Sequence, residues 1–260
     1  MGTSSVEDSP VCIVSIEGGI GVGKSTVVNA LRSTRPDLLY IDEPVDAWES
    51  AGLLEAMYKG TIPPGTFQIA ALSTRMAPLL KAVREGHRFI VTERCPWSDF
   101  EVFTKANLFE GSIELTAYKM AYDALMTALP TPVYLYNIYL TAEVNTLVER
   151  MQTRARDAER TEDDAAKDSR RKYLEKLQDR HDHFFGLSGA DLGVASYVGV
   201  RVNSELPADQ VAQQAEYNLI RILSVCHVNK PAETPSKRVR PTEAKKVDPP
   251  GKQQWPTVLA

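Results

Sequence analysis

Five short apolar runs punctuate the chain, at Val11–Ile16, Leu38–Ile41, Phe89–Thr92, Val133–Leu140 and Tyr197–Val202. Each has the length of a strand and is apolar at consecutive positions rather than at every second one. Runs of that kind belong to strands covered on both faces, as in a parallel sheet between two helical layers. Between them apolar residues recur at helical spacing, which predicts helices over Lys24–Thr34, Ala47–Lys59, Phe67–Gly86, Ile113–Leu129, Ala142–Thr153, Ser169–Phe185 and Ala208–Val225. The alternation predicts a doubly wound α/β fold: a five-stranded parallel sheet flanked by helices. Ligands of such folds sit at the carboxyl ends of the strands, so the residues that follow each run are where chemistry is expected.

After the first run the chain reads Glu17-Gly-Gly-Ile-Gly-Val-Gly-Lys-Ser-Thr26. Residues Gly18 to Ser25 fit the phosphate-loop pattern G-x-x-x-x-G-K-[ST] at every fixed position, with a strand before and a helix after. Gly18, Gly19, Gly21 and Gly23 let backbone N–H groups turn inward as an anion nest, and the new helix directs its positive end at the phosphates. Lys24 is expected to bridge the outer phosphates, Ser25 to hold Mg²⁺, and Thr26 to complete the donor site. The expected ligands are ATP, or another nucleoside triphosphate, with Mg²⁺.

The second run leads into Asp42-Glu43 and the third into Glu93-Arg94. Glu43 then emerges beside the phosphate loop, where a carboxylate can take a proton from an attacking hydroxyl. Glu93 is expected as a second metal contact, direct or through water, and Arg94 as a cation near the reacting hydroxyl. Arg150 and Arg154 stand four apart, hence on one helical face, and Arg156 follows in a polar stretch. Forked guanidiniums suit the oxygens of a transferring phosphoryl group, which predicts an Arg-rich lid.

Composition narrows the remaining possibilities. Of 260 residues, 43% are hydrophobic and 25% charged, and no apolar run approaches a membrane span. Residues 1–10 lack a signal-peptide core and are expected to be flexible. Residues 11–226 form the domain. Residues 227–260, rich in Pro and Lys, carry seven basic and three acidic residues and read as a disordered tail. The rest of the chain then has 23 basic against 31 acidic residues, which argues against nucleic acid as a partner. A cytoplasmic location is expected, or a nuclear one if the Lys237–Arg240 patch is read; nothing indicates mitochondria. Cys12, Cys95 and Cys226 are odd in number and widely spaced, so neither a disulfide framework nor a zinc site is expected.

Six ordered motifs across residues 11–225 resemble the deoxynucleoside kinase family: Glu-Gly-x-Ile-Gly-x-Gly-Lys-Ser, Glu43-Pro-Val-x-x-Trp48, Met57-Tyr58, Phe67-Gln68, Glu93-Arg94-x-x-x-Ser98-Asp99-x-x-x-Phe103 and Arg150…Arg154-x-Arg156-x-x-Glu159. The resemblance implies a P-loop kinase that phosphorylates the 5′-hydroxyl of a 2′-deoxynucleoside, with Glu43 as base and Arg94 near that hydroxyl. It implies that Tyr58 and Glu159 hold the 3′-hydroxyl. Trp48, Leu54, Met57, Phe67 and Phe103 enclose the base, and Gln68 meets its edge. Asp99, six residues after Glu93, is expected to favour bases with an exocyclic amino group, because an ionised carboxylate only accepts hydrogen bonds. Ser98 or Asp99 as a helix cap is the plainer reading. A homodimer paired through helices is implied as well.

Some positions depart from the family pattern. Thr74 stands where deoxycytidine kinases carry an Arg one residue after a Leu-Ser pair, here Leu72-Ser73, with Arg75 displaced by one place on the helix. Cys95-Pro96-Trp97 replaces the usual Ser, and the lid carries an insertion around Thr161–Lys172. These departures predict an intact reaction class with an altered base preference. A thymidylate-type monophosphate kinase and a thymidine-preferring nucleoside kinase are the alternatives. A GTP switch lacks its base-reading motif, and a silent binding subunit has no need of Lys24, Glu43 and the arginines together.

Overall fold

A computed structural model of the chain describes residues 10–154 and 164–226. Strands β1 (Val11–Gly18), β2 (Leu39–Ile41), β3 (Phe89–Glu93), β4 (Val133–Thr141) and β5 (Ser196–Asn203) form one parallel sheet in the order β2-β3-β1-β4-β5. The fold is thus the expected doubly wound one, and the five apolar runs are its five strands.

The continuous apolar runs have the cause expected of them. In β1, Val11 and Ile13 face a core shared with Leu72, Met76, Trp97 and Tyr118, while Cys12, Val14 and Ile16 face Val27, Leu31 and Leu219 on the other side. Each of these β1 side chains is fully buried, which contributes about 1.5–3 kcal/mol for a Val or Ile. Helices α1 (Lys24–Thr34) and α10 (Ala208–Val225) cover the second face, with α8 (Val144–Arg154) beside them. Helices α4 (Pro64–Arg84), α7 (Ile113–Met126) and α9 (Asp164–Phe185) cover the first, α4 packing against α7, and α4 and α9 both packing against the helical segment that follows β3.

Three local expectations change. The helix expected over 47–59 is two, α2 (Val45–Ser50) and α3 (Leu53–Tyr58), because Gly52 adopts φ 69° at the N-cap of the second. Residues after β3 are helical too: α5 (Pro96–Ser98), a π-helical segment at Asp99–Thr104 and α6 (Lys105–Asn107). The widened turn carries Asp99 and Phe103 inward, and no simple period announces it. Finally, Cys12 and Cys226 are joined as a disulfide, correcting the expectation of none. The parity of three cysteines says nothing about which two the fold brings together, and these lie 214 residues apart, on β1 and just past α10. Cys95 stays free and buried.

No helix among the described residues is long and apolar enough to cross a membrane. The expected flexible N-terminus, apart from Pro10, and the basic tail with its Lys237–Arg240 patch lie outside the described residues.

Candidate active site

The carboxyl ends of the strands open into a cavity of about 820 Å³ that runs from the phosphate loop to a pocket between α2, α3 and α4. Glycine is required at the loop for a steric reason. Gly18 sits at φ 138°, and a Cβ there would lie 2.5 Å from the Leu140 carbonyl oxygen; Gly23, at φ 103°, is the N-cap of α1. Gly21, Gly23, Lys24, Ser25 and Thr26 line the cavity. Gly18 and Gly19 lie beneath it and accept from Lys24 Nζ at 3.2 and 2.9 Å. Burial, then the neighbouring Arg94, lowers the Lys24 pKa to about 7. Ser25 Oγ donates to Glu93 Oε1 at 2.9 Å, so a hydroxyl and a carboxylate stand together as hard oxygen ligands suited to Mg²⁺. Burial pushes the Glu93 carboxyl up from its ordinary value.

Glu43 follows β2 and is 14% exposed, so it can still be reached from the cavity. Arg75 donates to its Oε1 at 2.7 Å, and Arg94 Nε pairs with the same oxygen at 3.0 Å. Burial alone would raise this carboxyl; Arg94, Arg75 and Lys24 outweigh it and hold Glu43 at about 2. Arg94 adopts φ 65°, the one positive φ of a non-glycine among the described residues. Its guanidinium lies over the Phe103 ring at 4.3 Å, and its Nη1 is 3.4 Å from His181 Nε2 and 3.9 Å from Glu17 Oε2. Strain of this kind persists where surroundings over-determine a side chain, as they do here.

Arg75 corrects the sequence reading. Far from being displaced, it sits two helical turns from Gln68 on the buried face of α4 and contacts Asp99 as well as Glu43. The position of an Arg relative to a Leu-Ser pair was the wrong ruler; its spacing from Gln68 was the right one. Thr74, on the adjoining face, accepts from Trp48 Nε1 at 2.9 Å. The capping reading holds for Ser98 and not for Asp99. The helix after β3 is capped by Cys95 and Ser98, which bond each other's backbone reciprocally, leaving the Asp99 carboxylate to Arg75. Burial pushes the Asp99 carboxyl up against the opposing pull of Arg75. Asp99 Oδ2 and Gln68 Oε1 are both buried and have no hydrogen-bond partner among the described residues.

Trp48, Leu54, Met57, Tyr58, Phe67, Gln68, Asp99 and Phe103 all line the cavity, as do Arg150 and Arg154. Trp48 and Phe67 meet edge to face at 5.4 Å, and Arg75 lies 5.4 Å from the Trp48 ring. Arg150 is braced: it donates to the Val22 carbonyl at 3.2 Å and to Ser204 Oγ and O at 2.9 and 2.8 Å. Arg156 and Glu159 lie outside the described residues. Sequence reasoning missed Glu17, Arg75, His181 and Ser204. Only Arg75 left a signal, its seven-residue spacing from Gln68.

This combination of a phosphate loop, a clamped strand-end carboxylate and an adjoining apolar pocket defines a phosphotransferase for a small organic alcohol. The family model for deoxynucleoside kinases matches residues 14–214, and the chain belongs to that family. It is similar to a probable deoxycytidine kinase of fowlpox virus, 31% identical over 65% of this chain and 69% of the relative. It also resembles a mitochondrial deoxyguanosine kinase of Xenopus laevis, 30% identical over 69% of this chain and 75% of the relative. Human deoxycytidine kinase is 28% identical over 69% and 77%. The chain is accordingly an enzyme, a nucleotide-using transferase that phosphorylates nucleosides.

Proposed function

We propose that the chain transfers the γ-phosphoryl group of ATP, or another triphosphate, to the 5′-hydroxyl of a 2′-deoxynucleoside whose base carries an exocyclic amino group. The observation that carries the reading is Glu43, a reachable carboxylate beside the phosphate loop with two arginines fixed on one of its oxygens. Glu43, which lines the cavity, takes the hydroxyl proton as the oxygen–phosphorus bond forms and the bond to the leaving diphosphate breaks. A carboxylate held at about 2 is a weak base, but it is ionised at every working pH. Phosphoryl transfer through a loose transition state needs an oriented acceptor more than a strong one. Arg94 orients the hydroxyl, and Lys24 with Arg150, Arg154 and Arg156 offsets charge on the transferring group. Ser25 and Glu93 would hold Mg²⁺, which neutralises donor phosphate charge.

Trp48, Leu54, Met57, Phe67 and Phe103 enclose the base, while Tyr58 and Glu159 serve the 3′-hydroxyl. The base edge is read by Gln68 and Asp99, and the support is their two buried, unpartnered acceptor oxygens. An amino group supplies the donors such oxygens lack, whereas a carbonyl in the same place would face them with another acceptor and leave them unsatisfied. Arg75 supplies the orienting cation that amino recognition by a carboxylate calls for. The chain is further read as a homodimer, supported by Phe109, Ile113 and Met120, exposed by 82%, 82% and 71% on and before α7.

The test is a coupled assay of ATP consumption with deoxycytidine, deoxyadenosine, deoxyguanosine and thymidine, and with thymidylate as the monophosphate control. Turnover of an amino-bearing nucleoside is expected; turnover of thymidylate alone would overturn the reading.

A further inference from the structure

His181 lies on α9, is 1% exposed, and has no part in the reaction as described above. Its ring is stacked on Tyr139, centroids 5.7 Å apart at 10°, and meets the Phe103 edge at 5.8 Å. Nδ1 is 2.8 Å from the Leu177 carbonyl oxygen, and Nε2 is 3.4 Å from Arg94 Nη1. These two neighbours fix one tautomer. A carbonyl can only accept, so Nδ1 carries the proton; a guanidinium can only donate, so Nε2 must not carry one.

We propose that His181 is a positioning residue for Arg94, accepting at its bare Nε2 so that the guanidinium stays in register with Glu43. Arg94 needs such help. Its backbone is in a left-handed conformation, its Nε lies 3.0 Å from Glu43 Oε1 without making a hydrogen bond, and among the described residues its Nη1 otherwise meets the Glu17 carboxylate at 3.9 Å. A second, neutral acceptor fixes the rotation of the fork without adding a charge that would compete with Glu43 for it. Burial first, then Arg94, keeps the imidazole well below its ordinary pKa, with Lys24 acting in the same direction. The ring is thereby kept an acceptor across the working range. The sequence hides this residue, because a His inside an amphipathic helix looks like any half-polar core position.

The inference rests on the kinase reading for its kinetic arm and is independent of it for its spectroscopic arm. His181→Phe keeps the aromatic packing and deletes the acceptor. His181→Gln returns an oxygen near Nε2. With the best nucleoside of the panel, His181→Phe is expected to lower kcat by about 10- to 100-fold, the range for losing a hydrogen bond to a charged group, with the KM for ATP within about twofold. His181→Gln should recover to within about fivefold of wild type. In an Arg94→Ala background, His181→Phe should cost less than about twofold more, since the two act as a unit. Equal losses in the Phe and Gln variants, or full additivity with Arg94→Ala, would overturn the proposal. The second arm is the ¹⁵N spectrum of the imidazoles, with the His181 signals assigned by their absence from His181→Gln. A protonated Nδ1 and bare Nε2 from pH 5.5 to 8 are expected; an Nε2–H tautomer or an imidazolium at pH 6 would refute the proposal even if no nucleoside is a substrate.

Discussion

Replacing Asp99 by Ala separates support of the fold from reading of the base. Asp99 is 1% exposed, its Oδ1 contacts Arg75, and its Oδ2 is buried with no partner among the described residues. Deleting one member of a buried ion pair ordinarily costs about 3–5 kcal/mol, because it strands the other charge. Arg75 is not stranded here, since it keeps Glu43 at 2.7 Å, so the lower end applies, about 3 kcal/mol. For a domain of this size that is a fall of roughly 6–12 °C in Tm. The cost to substrate choice is separate. An amino-bearing base loses one acceptor in a buried site, about 1–3 kcal/mol, while thymine loses a repulsive neighbour. The kcat/KM of thymidine relative to deoxycytidine or deoxyadenosine should therefore rise by about tenfold or more, tenfold being 1.4 kcal/mol. The assay compares kcat/KM for the four deoxynucleosides in wild type and variant, at a temperature well below both melting points. If all four values fall in proportion, Asp99 merely supports Arg75 and the base-reading argument is wrong. A wild-type enzyme that already prefers thymidine refutes it directly.

Glu43→Gln keeps shape and removes the proton acceptor, so kcat should drop about 10²–10⁴-fold with the KM for ATP nearly unchanged; near-normal turnover would end its assignment as base. Lys24, at about 7, is about nine-tenths neutral at pH 8, whereas a bound triphosphate favours the ammonium. Binding of ATP at pH 8 should then take up about 0.9 proton, against about 0.1 at pH 6, and weaken as pH rises above 7. Calorimetry in two buffers of different ionisation enthalpy measures this, and equal uptake at both pH values would contradict it. A chain ending at Cys226 should keep its specific activity, because the described residues that line the cleft already form it without the tail; a loss of more than about half would bring the tail into the reaction.

The fold was legible because its determinants are local. Strand length, double-sided burial and helical period each show within a dozen residues, and the phosphate loop names its own neighbours through Gly18 and Gly23. What failed to show depends on distant residues meeting. Gly52 divides a helix whose period runs straight through it. Cys12 and Cys226 pair because α10 packs back against α1, β4 and β5 and its end meets β1, which no count of cysteines reveals. Arg75 was misplaced because it was measured from Leu72 and Ser73, whereas the physical constraint is the face it shares with Gln68. Ser204, braced to Arg150 and to the Val22 carbonyl, is an ordinary turn serine in sequence.

The charges of the cleft make one arrangement that single motifs could not disclose. Glu17, Glu43 and Asp99 interleave with Lys24, Arg75 and Arg94, each arginine touching more than one carboxylate. The two arginines and the carboxylates they touch largely offset one another before substrate arrives, which limits the net desolvation cost of holding them in the cleft. The donor then brings several negative charges of its own. On the proposed reading these are met by the loop amides, Mg²⁺, Lys24 and the arginines of α8 and the lid, rather than by Arg75 and Arg94, which already face Glu43. The division has a consequence for the hydroxyl. Arg94 and Arg75 both lie against the same oxygen of Glu43, so on that reading the carboxylate need not reorganise as the proton moves. Fixing a weak base from one side in this way is how an acceptor at about 2 can serve a reaction in which positioning, not basicity, limits the rate.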